Sequence, residues 1–421
     1  MRTRTLLAVG LALGMAAAVA LPARAKLGGG LPGGPLADLG RAGQRVSETL
    51  ETLTDPLRDR VATTLSDAGT LARGRVERLA RFVEVNRNSV DWDENRQPSV
   101  RGEVLLTDPD AAAIESARRA GFGLIEEGAI YGLDLHFARL SVPSGMSLAE
   151  GVRHLRKLLP GREISADQIH FPAGQVDKRR GQGTPPSAAL PRGGTVGVID
   201  GGIAGSARLV AQRAFAGSAA VPSDHASAIA SLLAGSGTAR IVGADVYGGA
   251  ASGGNALAIA RALGWMRQMQ VQVVSISLVG PANPLLGRAV ASVQAQGMLV
   301  VAAVGNDGAA APPAYPASYP GVVAVTGVDG AGRVLIEAGR ASHLDYAAPG
   351  ADMSALVPGK GRVSLRGTSY AAPLVASRLA ARRASGAADG RAALSAADGE
   401  ALARSKRTGR GVLCNICRSG L

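Results

Sequence analysis

Aromatic residues are scarce in this 421-residue chain, at 3% of its positions. A protein that binds nucleic acid by stacking needs exposed rings, so that class is set aside. Cysteines number two, both in the C-x-x-C of Cys414 and Cys417. A zinc site would need two further ligands, and no histidine or cysteine stands nearby. A thioredoxin-type redox centre would need a surrounding βαβ unit. The pair therefore reads as a terminal clip, which an oxidising compartment would close, or as a free pair. No apolar run beyond residue 25 is long enough to cross a bilayer. Acidic residues are outnumbered by basic ones, 33 against 46, for a formal charge of +13. Basic residues are scattered apart from short runs such as Lys178, Arg179 and Arg180, which fits an arginine-rich solvated surface or a preference for anionic partners.

What is present is a globular composition, 46% hydrophobic with 57 glycines, in a chain with room for more than one domain. Residues 1–25 have a positive start (Arg2, Arg4), an apolar stretch from Leu6 to Leu21, and a small-x-small end at Ala23-Arg24-Ala25. This is the pattern of a secretory signal cut after Ala25, with an uncleaved anchor as the alternative. The expected mature chain is exported, secreted or periplasmic, with no membrane-spanning helix left.

Residues 26–40 form a glycine- and proline-rich linker. Residues 41–99 are expected to be mainly helical. Val46, Leu50, Leu53, Leu57, Val61 and Leu65 recur at helical spacing, with a restart at Asp55-Pro56. Residues 100–172 give the order βαββαβ of a split-βαβ domain. Its first helix is expected over Pro109–Ala120 with Asp108 as cap. Its second runs from Ser147 to Leu159, with Glu150 completing a capping box. Residues 173–193 read as an exposed connector. His136, His154 and His170 precede it and read as surface or packing histidines.

From residue 194 to about 395, short strands apolar on both faces alternate with helices, the pattern of a parallel sheet covered on both sides. Active residues in such α/β folds stand at the carboxyl ends of strands. Four polar residues stand out in small-residue motifs: Asp200 in TVGVIDGGI, His225 in SDHASAIASLLAG, Asn306 in VVAAVGNDG and Ser369 in LRGTSYAAPLVAS. A serine hydroxyl needs a base to attack at neutral pH, histidine is suited to that role, and a buried carboxylate fixes the imidazole tautomer. A helix starting at Ser369 would aim free amides at a developing oxyanion, and the Asn306 amide would add a donor. Residues 396–421 form a basic tail that carries the C-x-x-C.

On these motifs, residues 194 to about 380 resemble the catalytic domain of the subtilisin-like serine proteases (subtilases), in the family order aspartate, histidine, serine. YPASYPGVVAVTGV from Tyr315 and VVSISLVG resemble further family segments. The βαββαβ unit resembles the propeptide of these proteases, which chaperones and inhibits its own catalytic domain. The resemblance implies an Asp200–His225–Ser369 triad, with Asn306 and the Ser369 amide as oxyanion donors. It implies a serine endopeptidase made as a self-processed zymogen and cut within 173–193, acting on polypeptides. It also places Ser277, Leu278, Val279 and Gly280 on one wall of the first specificity pocket, with Ala302, Ala303 and Val304 opposite and Ala314 near the base. No acidic residue lines that set, so small or medium apolar side chains are expected there. Ser252, Gly253 and Gly254 would form the edge that pairs with an extended substrate.

The sequence departs from the family at Gly201-Gly202, at Ala226-Ser227 and at Tyr370, where methionine is usual. Only 25 positions separate Asp200 from His225. A loop that binds calcium in many relatives is shortened between Gly235 and Ile241, so no metal or cofactor is expected. The competing reading is a weakly active or inactive binding protein of the same fold.

Overall fold

The computed structural model describes residues 55–180 and 192–421. The expected signal, the 26–40 linker, the start of the helical segment and most of the 173–193 connector lie outside the described residues. The chain divides into two compact units. One contains residues 55–77 with 307–312; there Arg75 pairs with Asp307 at 3.0 Å and the Leu71 side chain packs on Gly308. The other contains residues 78–306 and 313–421. Helix α1, Asp55–Val85, begins at the restart point read from Asp55-Pro56.

In the larger unit, the short strand β1 (Val90–Trp92) pairs with β2 (Pro98–Thr107). Helix α2 (Ala111–Arg119), β3 (Gly123–Ala129), β4 (His136–Ser141), α3 (Leu148–Leu158) and β5 (Ile164–Gln168) follow. The strands form an antiparallel sheet in which β2 lies between β4 and β5 and β4 pairs with β3, the expected split-βαβ arrangement. The α3 capping box at Ser147 and Glu150 is present. The α2 cap is Asp110, whose side chain accepts from the Ala113 amide, and not Asp108. Asp108 instead follows β2 with φ 45° and accepts from the His136 amide. One face of this sheet packs on α2 and α3 through Val104, Leu106, Ile114, Leu140, Val152 and Leu155.

Strands β8 (Thr195–Asp200), β9 (Leu209–Ala214), β10 (Arg240–Asp245), β11 (Val273–Ile276), β13 (Leu299–Ala303), β14 (Val323–Val328) and β15 (Tyr346–Pro349) form the seven-stranded sheet. Its order is β15-β14-β13-β11-β8-β10-β9 and its pairings are parallel. Edge strand β9, half-exposed and without an apolar run, is an addition to the sequence reading. Successive side chains of a strand point to opposite faces, so each strand feeds two cores. Val196, Val198, Val301 and Ala303 join α4 (Asp224–Gly235) and α7 (Thr368–Ala384) on one side. Ile199, Val300 and Ala302 join α5 (Ala256–Gln268) and α6 (Pro284–Ala295) on the other.

The split-βαβ domain lays the opposite face of its sheet, with Leu105 and Phe137, on this second core. Strand β5 also meets the starts of both outer helices, capped by Asn255 and Asn283. Asp167 accepts from the Leu257 amide at the start of α5, and the Asn283 side chain at the start of α6 donates to Ser165, Ala166 and Gln168. The Asp167 carboxylate thus meets a backbone amide at a helix start, where such donors lack partners within the helix.

The tail is not a loose appendage. Helix α8 (Gly390–Asp398) crosses the expected boundary at 395, and Val412, Leu413, Cys414 and Cys417 are buried. The Cys414–Cys417 disulfide is formed. Ser419 bridges to Ser354 on β16 (Met353–Val357). Among the described residues no helix is long and apolar enough to cross a membrane.

Candidate active site

The strand order reverses around β8, where the chain runs from β8 through β9 and β10 on one side and then crosses to β11 on the other. Such switch points open a crevice at the carboxyl ends of the strands. Asp200 closes β8 there, fully buried. Its Oδ1 accepts from the Gly201 amide at 2.8 Å. His225 lies in the first turn of α4, after the Ser223 cap. Its Nδ1 is 2.9 and 3.0 Å from the two Asp200 oxygens, and its Nε2 is 2.9 Å from the Ser369 Oγ. With Nδ1–H donated to the carboxylate, Nε2 is left as an acceptor for the serine proton, the arrangement that lets a hydroxyl attack a carbonyl.

Ser369 is the second residue of α7, so its amide is one of the helix's free donors. It donates to the Ala173 carbonyl at 2.9 Å. The Asn306 amide nitrogen donates to the same oxygen. Asn306 is held in that sense because its Oδ1 accepts from the Thr368 amide at 3.0 Å. Two donors therefore converge on one carbonyl oxygen, beside a hydroxyl that faces a base. Gly367 lets the chain come this close. Its φ is 137°, and a Cβ there would stand 2.7 Å from both the Asn306 nitrogen and the Gly174 Cα. On Gly174 a Cβ would stand 1.8 Å from the Ser369 Oγ, so this position too is open only to glycine in the observed geometry.

The carbonyl in this hole belongs to the chain itself. Strand β6 (Phe171–Pro172) pairs antiparallel with β12 (Leu278–Val279). The Ala173 amide donates to Ser277 O at 2.9 Å, and on the other side the His170 amide donates to Gly254 O at 2.8 Å. After the hole, β7 (Gln175–Arg180) pairs antiparallel with β17 (Gly361–Arg366). Residues 169–180 thus run extended through the cleft as an added strand. The sequence reading ended one strand at Phe171 and began an exposed connector at 173; the structure instead ends β5 at Gln168, buries Ala173 and continues the strand to Arg180. Hydrogen bonds offered by distant edges, invisible to local periodicity, make this difference.

Ser277, Leu278 and Gly254 lie along the seated segment. Val279 packs near Gly305, and Gly280 exchanges backbone hydrogen bonds with Tyr315, next to Ala314. Ser252 and Gly253 border a neighbouring cavity shared with Asp167 and Glu103. Ala302, Ala303 and Val304 are buried in the two sheet cores. Of the unusual neighbours, Ser227 Oγ accepts from the Ala204 amide, and the Tyr370 ring lies 5.3 Å from that of His225 while its hydroxyl is buried without a hydrogen bond.

Two buried titratable residues bear on the seated segment: His170, read from sequence as a surface or packing histidine, and Asp167, which sequence reasoning did not single out. His170 is fully buried, its ring against Gly280, with no hydrogen-bond partner at Nε2. Burial pushes its pKa down to about 4. Asp167 is buried beside Glu103, and burial pushes it up to about 7 against the pull of the Leu257 amide. The signs oppose. The His170 contribution to seating is full above about pH 6.5, the free value, and is lost as pH falls toward 4. The Asp167 contribution is greatest near pH 4 and is lost as pH rises through 7. In an uncut Ser369→Ala background, His170→Gln is therefore expected to narrow its melting-temperature gap to the parent as pH falls from about 6.5 to 4. Asp167→Asn is expected to gain on the parent as pH rises from about 4 to 7. Gaps that stay constant with pH would contradict both assignments.

The model of the Subtilase family matches residues 192–396. Subtilisin Savinase of Lederbergia lenta is 37% identical over 133 residues, 31% of this chain and 49% of that protein. An alkaline protease of Alkalihalobacillus alcalophilus is also 37% identical over 133 residues, 35% of its length. The chain thus spans half or less of the length of these relatives. Among solved structures, fervidolysin from Fervidobacterium pennivorans, a keratinolytic enzyme related to subtilisin, superposes with a TM-score of 0.61 at 16% identity. The match covers 76% of this chain and 61% of that one, and it shares the fold.

Proposed function

We propose, from the premise that residues 192–396 are a subtilase-family domain, that the chain is an exported serine endopeptidase described in its uncut zymogen form. Ser369 is the nucleophile, His225 the general base and then acid, and Asp200 the group that orients and stabilises the imidazolium. Asn306 and the Ser369 amide hold the oxyanion. Attack on a substrate carbonyl gives a tetrahedral oxyanion. Its collapse releases the amine, which takes the proton from His225, and leaves an acyl ester on Ser369. Water, deprotonated by His225, then releases the acid.

The observation that carries this reading is the Ala173 carbonyl, which accepts from both oxyanion donors while the catalytic hydroxyl faces its base. It also supports Ala173–Gly174 as the self-processing bond and the split-βαβ domain as an intramolecular inhibitor. A buried alanine at the cleaved position supports a preference for small apolar side chains there. Export rests on the signal-like residues 1–25. The test is labelling of the purified protein with a fluorophosphonate. A covalent adduct on the peptide containing Ser369 is expected, absent in Ser369→Ala. Equal labelling of both proteins would overturn the reading.

A further inference from the structure

The inhibitory segment carries a contact that its role as a bound peptide does not require. Side chains along an extended strand alternate in direction, so Phe171, two residues before the processing bond, has neighbours distinct from those of Pro172. Its ring meets Phe82 of α1 edge-on, with centroids 4.9 Å apart and planes at 88°. The pair belongs to a small apolar cluster of its own, with Val83, Val90, Trp92, Ile169 and Ala251. Ala251 lies in the loop leading to Gly254, which pairs with the segment; Val83, Val90 and Trp92 come from the polypeptide preceding the split-βαβ domain. Behind Phe82 the helix end is tied down: Asn86 donates through its side chain to Phe82 O at 2.8 Å, and the Val90 amide donates to Asn86 O.

We propose that the last turn of α1 is an autoinhibitory latch: Phe82 clamps Phe171, so that after the Ala173–Gly174 bond is cut the segment leaves the cleft only by breaking this contact or by undocking together with the whole domain. This rests on the protease reading above and adds to it a function for the helix. Once the bond is cut, residues 169–173 are held by backbone hydrogen bonds to Gly254, Ser277 and the β12 edge, which an ordinary product peptide would also make. The aromatic contact is additional, because its partner ring arrives with the inhibitory domain and leaves with it. Phe171 therefore ties the segment to the docked domain, whereas a substrate phenylalanine at that place would keep Ala251 as a neighbour and lack the Phe82 ring.

The experiment follows the full chain by two readouts: the appearance of the amino terminus at Gly174 by mass spectrometry, and the subsequent lag before a fluorogenic peptide is hydrolysed. Phe82→Ala is expected to leave the first cut at the parental rate and to shorten the lag about tenfold. Phe171→Ala, which leaves the helix untouched, is expected to shorten the lag similarly. The double variant should match either single one, because one contact is being removed twice. A purely structural role for Phe82 would make the two effects multiply. Multiplying effects, or an unchanged lag with normal cutting, would overturn the latch and leave the protease reading in place. Absence of any cut in the parent would overturn both.

Discussion

Replacing Ser369 by alanine is expected to leave the chain uncut at Ala173–Gly174 and to lower peptide hydrolysis on the order of 10⁶-fold, the size found when a triad serine or histidine is lost from this fold. The argument is geometric. The Oγ is 2.9 Å from its base, and the target carbonyl already points into its two donors, so chemistry waits only on the nucleophile. Alanine removes that atom and leaves the hydrogen bonds of the seated segment intact. The precursor should remain folded, with the inhibitory domain retained at full length. Intact-mass measurement of the purified variant checks this. A chain beginning at Gly174 would show that cutting does not use Ser369.

Asn306→Ala is expected to lower kcat about 10²–10³-fold with little change in KM. A donor aimed at the developing oxyanion strengthens its bond as charge accumulates, so its loss falls on the transition state. Asn306→Asp retains the shape and an acceptor for the Thr368 amide, but it sets a carboxylate against the Ala173 oxygen in place of a donor. It should be at least as damaging as alanine. Steady-state kinetics on a peptide carrying Phe-Pro-Ala before the cleaved bond separates the parameters. A loss confined to KM would assign Asn306 to substrate binding in place of oxyanion stabilisation.

The sheet and the four polar residues were legible because the constraints on them are local. TVGVID can hardly be anything but a strand buried on both faces, and a carboxylate at its end must find a partner. Ser369, in a small-residue helix start, likewise announces free amides. The α2 cap was misassigned because DPD offers two aspartates, and only the pairing of β2 with β4 shows that Asp108 is already engaged with His136. Strand β9 escaped notice because an edge strand lacks a continuous apolar run. The tail read as a basic appendage because Val412, Leu413 and the two cysteines gain their burial from β15 and β16, far away in sequence. The seating of residues 169–180 was hidden for the same reason: one edge is offered at Gly254, another at β12 and a third at β17.

That third edge has a chemical consequence. When the Ala173 acyl group transfers to Ser369, the amine released is the amino terminus of Gly174, and the pairing of β7 with β17 keeps it beside the ester. A tethered amine competes with water at an effective concentration far above that of any free peptide. Its return would remake the peptide bond and free the serine. In the proposed zymogen the first cut is thus a reversible exchange until β7 peels from β17, a step that precedes the slower escape of residues 169–173.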